Sequence, residues 1–288
     1  MKNYLYALAT DGSNDNGLEK MNPLTVRIFD VNAGKVKTSL LDMCMTPSGT
    51  ALDIFNAIDR CMTLFDFPWS NCVAVGVDNT NVNMGNRHSI KTMVQKKTPD
   101  VFFNGCQCHV VHNPSAFTDA TGFNVSDILV DLYYWFDQSS KRKNLLVEYS
   151  GFCDQEYHQV IKYASTRWLS LEKSVTRALQ QYESLKSYFL SEKSSQARFK
   201  RLQAAFHDPM TEVYLLLYQS ALQIFIQLNQ FLQRGDPLIG AVSQALQRFQ
   251  RLLACKFIPP AIVKAAKSHE DLLDSKQWPQ GMRLASPG

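Results

Sequence analysis

No stretch of the 288 residues is apolar for long enough to cross a membrane. The richest, Val213 to Leu232, is interrupted by Gln219, Gln223, Gln227, Asn229 and Gln230, whereas a spanning helix needs about 20 largely apolar positions. Met1 to Thr10 carries a lysine and an Ala-Leu-Ala that faintly mimic a secretory leader, but its apolar part falls short of the roughly 7 to 15 residues of an h-region, and the expectation is a strand. Cysteine is sparse and odd in number. The seven thiols (Cys44, Cys61, Cys72, Cys106, Cys108, Cys153, Cys255) lie scattered through core-like segments, which excludes a disulfide framework and points to a reducing, intracellular, soluble setting. Charge of one sign is not in large excess: the net charge of +4 is compatible with a nucleic-acid partner but lacks the stripe of a committed electrostatic binder. No repeat of fixed period occurs. The turn cluster Asp11 to Gly17 lacks the marks of an EF-hand, having Asn16 at the sixth position and Asn22 at the twelfth.

What is present divides by periodicity. Leu5 to Thr10, Leu24 to Phe29 and Val36 to Leu41 read as strands joined by tight loops, an antiparallel meander. Ala51, Leu52, Ile54, Phe55, Ile58 and Met62 recur at helical spacing between Gly49 and Phe65. Cys72 to Val77 is a continuous apolar run ending on Asp78, the pattern of a central buried strand that delivers a carboxylate to the carboxyl edge of a sheet. Met84 to Lys97 reads as a helix and Val101 to Phe103 as a strand, so the order is β-β-β-α-β-α-β. Beyond residue 122 the pattern is helical over 125–136, 155–163, 168–190, 196–206, 213–234 and from Asp236-Pro237 to Cys255, with Pro259-Pro260 as a stop. Lys141-Arg142-Lys143 reads as a helix end, where cations suit the dipole. The expected divisions are a core at 4–122, a helical region at 123–257 and a disordered tail at 258–288.

Three constellations carry chemistry. Asp11 and Asp78 leave neighbouring parallel strands at one edge if the first strand lies beside the fourth, and two such carboxylates suit Mg²⁺, with turn and cap roles as the plain alternative. Cys106, Cys108, His109 and His112 are spaced too tightly for the paired knuckles of a structural zinc module, and only Cys153 with His158 lies near enough to complete one, so a strand-to-helix junction is the favoured role. Ser165-Thr166-Arg167-Trp168 opens a helix, which also has a plain explanation as a cap.

In this order and spacing, Asp11-Gly12-Ser13, Gly76-Val77-Asp78-Asn79, Cys106-x-x-His109-x-x-His112-Asn113 and Thr166-Arg167-Trp168 resemble the catalytic region of hAT-superfamily DNA transposases, most closely the vertebrate proteins domesticated from them. The resemblance spans about 4–257. It implies an α/β, ribonuclease H-like mixed sheet followed by a helical insertion and a helical C-terminal part, a nuclear location, and DNA, protein or self-association as partners. Asp11 and Asp78 would be the first two metal-binding acids. The third, a glutamate in the family, has no counterpart inside 213–234, where glutamines repeat along one face; Glu212 before it and Asp236 after it are the nearest carboxylates. A glutamine keeps the shape of glutamate without the charge a hard cation needs.

The expectation is therefore a catalytically silent, transposase-derived module, binding Mg²⁺ only if active, and a fragment or short isoform without the family's zinc-finger and dimerisation regions. A Mg²⁺-dependent strand-transfer enzyme is the alternative. An actin-like phosphotransferase, suggested by Asp11-Gly12-Ser13 after a strand, requires a second β-β-β-α-β-α-β unit that the later helical pattern does not offer.

Overall fold

In the computed structural model, which describes residues 4–14, 20–108, 122–164 and 170–273, the chain forms two units with separate apolar cores. The first comprises Met1–Val111 with Gly235–Leu238, the second His112–Arg234 with Ile239–Gly288. Among the described residues no helix is long and apolar enough to cross a membrane.

The first unit is α/β. Its strands are β1 (Tyr6–Thr10), β2 (Ser13–Asn14), β3 (Lys20–Asp30), β4 (Lys35–Thr46), β5 (Cys72–Val77) and β6 (Phe102–Gly105). β3 runs antiparallel to β4 on one side and to β1 and β2 on the other, and β1–β5 and β5–β6 are parallel. The sheet order is thus β4-β3-β1-β5-β6, with β2 extending the row of β1. The expected meander is present, with longer strands than the apolar alternation marked.

Helix α1 (Ala51–Leu64) covers this sheet because Ala51, Ile54, Phe55, Ala57, Ile58, Cys61 and Met62 form one buried stripe. Each large side chain buried there contributes about 1.5–3 kcal/mol relative to exposure. Thr50 caps the helix by accepting from the Asp53 amide at 3.2 Å. The Asp53 carboxyl is held below its ordinary value by the Ser48 hydroxyl and then by Thr50. Asp59 on the same helix accepts from the Trp69 indole at 2.6 Å and pairs with Lys97 at 3.2 Å.

The helix expected at 84–97 is two pieces, α2 (Asn81–Met84) and α3 (Ile90–Lys97). Gly85 leaves helical geometry at ψ 152°, His88 takes φ 51°, and Ser89 restarts the chain with a capping box shared with Thr92. β5 is central but not covered throughout: Cys72, Val75 and Val77 are buried, while Val73, skipped where the β1 register shifts, is 45% exposed.

The second unit is helical: α4 (Val125–Phe136), α5 (Ser140–Phe152), α6 (Ser170–Gln180), α7 (Tyr182–Ser191), α8 (Ala197–His207), α9 (Met210–Leu232), α10 (Ile239–Ala254), α11 (Pro260–Ala265) and α12 (His269–Leu273). Phe189 is its centre, stacked on Phe206 at 5.2 Å and packed beside Trp135, Phe136 and Phe199.

Four expectations need correction here. The segment 155–163 is not helical: Gln155 accepts from the amide and hydroxyl of Ser184, the His158 amide donates to Gln181, and Arg177 donates to the Gln159 carbonyl, so its polar groups are used across to α6 and α7. The helix expected at 168–190 is broken after Gln180, because Gln181 leaves helical geometry at φ −129°. Lys141 to Lys143 begin a helix instead of ending one, Ser139 accepting from the Arg142 amide. The tail expected at 258–288 is helical in α11 and α12, with 274–288 outside the described residues. Pro260 stands at a helix start, where its missing N–H costs nothing, and Arg251 ties the turn down through the Val263 and Ala266 carbonyls.

Candidate functional site

The parallel pairing of β1 with β5 sets Ala9 opposite Gly76. Asp11 and Asp78 are the first residues after β1 and β5, so both leave the carboxyl ends of adjacent parallel strands, which lie about 4.8 Å apart in a sheet. Asp11 is exposed and Asp78 half-buried. Between strand and edge the Thr10 hydroxyl is buried with no hydrogen-bond partner among the described residues.

Asp78 is anchored by its own loop. Its Oδ1 accepts from the Thr80 amide at 2.9 Å, the Thr80 hydroxyl at 2.6 Å and the buried Asn83 amide at 2.7 Å. The neighbouring Asn79 donates to the Cys106 carbonyl at 2.7 Å, fastening the β5–α2 loop to the end of β6. That contact needs Gly105, because a Cβ there would lie 1.9 Å from the Asn79 side-chain oxygen. Cys106 therefore begins its motif at the same sheet edge as Asp78.

The donor set can be compared with what a hard divalent cation requires. Mg²⁺ takes oxygen ligands in octahedral geometry, and strand transfer clamps a phosphodiester between two such ions. Asp78 commits one carboxylate oxygen to three donors, and Asp11 reaches the edge from an exposed loop. Among the described residues the one group of three or more carboxylate, thiol or imidazole ligands within metal-binding reach is Asp42, Cys44 and Cys61, so no third such ligand joins Asp11 and Asp78.

The two carboxylates expected as substitutes are placed as follows. Glu212 lies inside the first turn of α9, not before it, in the helical unit. Its charge reaches Tyr182, whose hydroxyl is pushed up to about 12 by burial and then by Glu212. Asp236 is exposed, next to Gly235, whose carbonyl accepts from Arg27 of β3 at 2.6 Å. Two glutamines of α9 have structural partners: Gln219 donates to Thr176, and Gln223 to Glu172, both on α6. His109, His112, Arg167 and Trp168 lie outside the described residues.

A second feature was not legible in the sequence. Tyr134 of α4 is 46% exposed, with the Lys162 ammonium 5.9 Å and the Arg198 guanidinium 5.5 Å from its ring. Asp131, buried one turn earlier, accepts from Arg198 at 3.1 Å and from both Nε and Nη2 of Arg201, at 2.7 and 2.8 Å. Burial alone would raise the Asp131 carboxyl, but the Arg201 and Arg198 hydrogen bonds and charges outweigh it and hold it below its ordinary value. A half-exposed ring with two cations over it, one of them paired with a buried acid, forms a cation–π cluster on the surface of α4. Lys162 and Arg198 are 36 positions apart in the chain, so only the fold brings them together.

Compared with known proteins, the chain matches no family model and no curated relative.

Proposed function

We propose that the chain is a domesticated hAT transposase-like domain of ribonuclease H-like fold, catalytically silent, that acts in the nucleus as a nucleic-acid-binding module. The order β4-β3-β1-β5-β6, with an antiparallel meander and two parallel pairs, supports the fold reading. The observation that carries the functional reading is the sheet edge: Asp11 and Asp78 follow the parallel strands β1 and β5 at their carboxyl ends, and Asp78 Oδ1 is already taken up by three donors of its own loop. The cation-flanked Tyr134 gives the surviving role a surface. An actin-like reading has no support, because the described residues after Tyr163 are helical and form no second sheet.

The test is a nicking assay on supercoiled DNA with Mg²⁺ or Mn²⁺, run beside a binding measurement on labelled single-stranded DNA. The expected result is no nicking by the wild-type chain under either metal, with binding retained in Asp78→Ala. Metal-dependent nicking that disappears in Asp78→Ala would establish the active-enzyme alternative instead.

A further inference from the structure

A side-chain cluster away from the Asp11–Asp78 edge has the geometry of a metal centre. Asp42 and Cys44 are two residues apart on β4, which places both on one face of the strand. Cys61 comes from the buried stripe of α1, on the helix that packs against β4. One carboxylate oxygen and the two sulfurs all lie within 4.8 Å of one another. Ligands about 2.0–2.3 Å from a tetrahedral zinc stand roughly 3.3–3.8 Å apart, so the trio is within about 1 Å of closing on an ion.

We propose that Asp42, Cys44 and Cys61 bind a single Zn²⁺ that fastens the outer strand β4 to helix α1. Ligand chemistry selects the metal. Two thiolates exclude Mg²⁺ and Ca²⁺, which take oxygen, and the carboxylate disfavours Cu⁺, which prefers sulfur throughout. Zn²⁺ accepts both, and with three protein ligands its fourth position is filled by water.

Charge favours the same ion. Two thiolates and a carboxylate carry three negative charges, and Arg60 adjoins Cys61 on α1. Zn²⁺ with Arg60 brings the group to neutrality, which a half-buried site requires.

The probe is Co²⁺, which gives visible ligand-field bands and a near-ultraviolet thiolate charge-transfer band in a tetrahedral sulfur site. Titration of the full chain is expected to reach one equivalent, to be reversed by Zn²⁺, and to survive Cys106→Ser with Cys108→Ser, which removes the other paired thiols. Cys61→Ser is expected to abolish the charge-transfer band. Asp42→Asn, which keeps size and shape so that the fold is retained, is expected to weaken Co²⁺ binding at least tenfold. Absence of a thiolate band in the wild type, its loss only in the Cys106/Cys108 variant, or unchanged affinity in Asp42→Asn would overturn the site. So would a chain that joins Cys44 to Cys61 as a disulfide in air and, once reduced, takes up no Co²⁺.

Discussion

Single atoms decide how the sheet edge is held. The Asn79 amide reaches the Cys106 carbonyl through space that only the absence of a side chain at Gly105 leaves open. Gly105→Ala must displace Asn79, and overpacking of this kind costs about 1–3 kcal/mol. The expected outcome is a lower denaturant midpoint, with Asn79→Ala in the same chain recovering part of the loss because the clash then has no partner. Asp131 gives a pH signature at the same scale. Its folded carboxyl lies below the ordinary carboxylate value, so its contribution to stability is fully present above the unfolded pKa of about 3.9 and fades as pH falls through the folded value. Acid unfolding of Asp131→Asn is therefore expected to show a shallower pH dependence below about pH 4 than the wild type, and the same slope above pH 5.

At the scale of elements, caps and stripes decide where helices lie. Ser89 is fully buried, accepts from the Thr92 amide at 3.2 Å, and shares a capping box with it. Ser89→Ala is expected to cost about 1–2 kcal/mol, read from chemical unfolding, because it leaves first-turn donors of α3 unsatisfied in the core. This cap also shows what was legible in advance. The stripe of α1 and the apolar run of β5 mark both elements, and the parallel pairing of β1 with β5 follows the order expected of them. The break between α2 and α3 was hidden, since Ile90 and Val94 keep helical spacing up to Lys97 while Gly85 and Ser89 act on the backbone. The segment 155–163 was misread for the opposite reason. Its apolar residues fit a helix, but Gln155 and the backbone of 158–159 find partners on α6 and α7, and long-range hydrogen bonds leave no local mark. The Asp42, Cys44 and Cys61 trio was equally invisible, because Cys61 lies one helix away from the strand that carries the other two.

At the scale of the whole molecule, a net charge of +4 sets how any nucleic acid is held. On the proposed reading few phosphates would be neutralised, so binding is expected in the non-specific range of about 10⁻⁴–10⁻⁶ M with a modest response to salt. The surface around Tyr134 separates two contributions that net charge alone confounds. On the proposed nucleic-acid reading Lys162 would be the phosphate contact, Arg198 being paired with Asp131, and each phosphate contact to a single strand adds about 0.7 to the slope of log affinity against log salt. Tyr134, half-exposed, would stack on a base, which contributes about 1–3 kcal/mol independently of counterions. Lys162→Ala is therefore expected to flatten the salt slope for labelled single-stranded DNA by about 0.7. Tyr134→Ala is expected to weaken binding by roughly 5- to 150-fold at every salt concentration with the slope unchanged. Anisotropy titrations across a salt series distinguish these effects, and a Tyr134→Ala chain that binds as tightly as the wild type would remove this surface from the nucleic-acid reading.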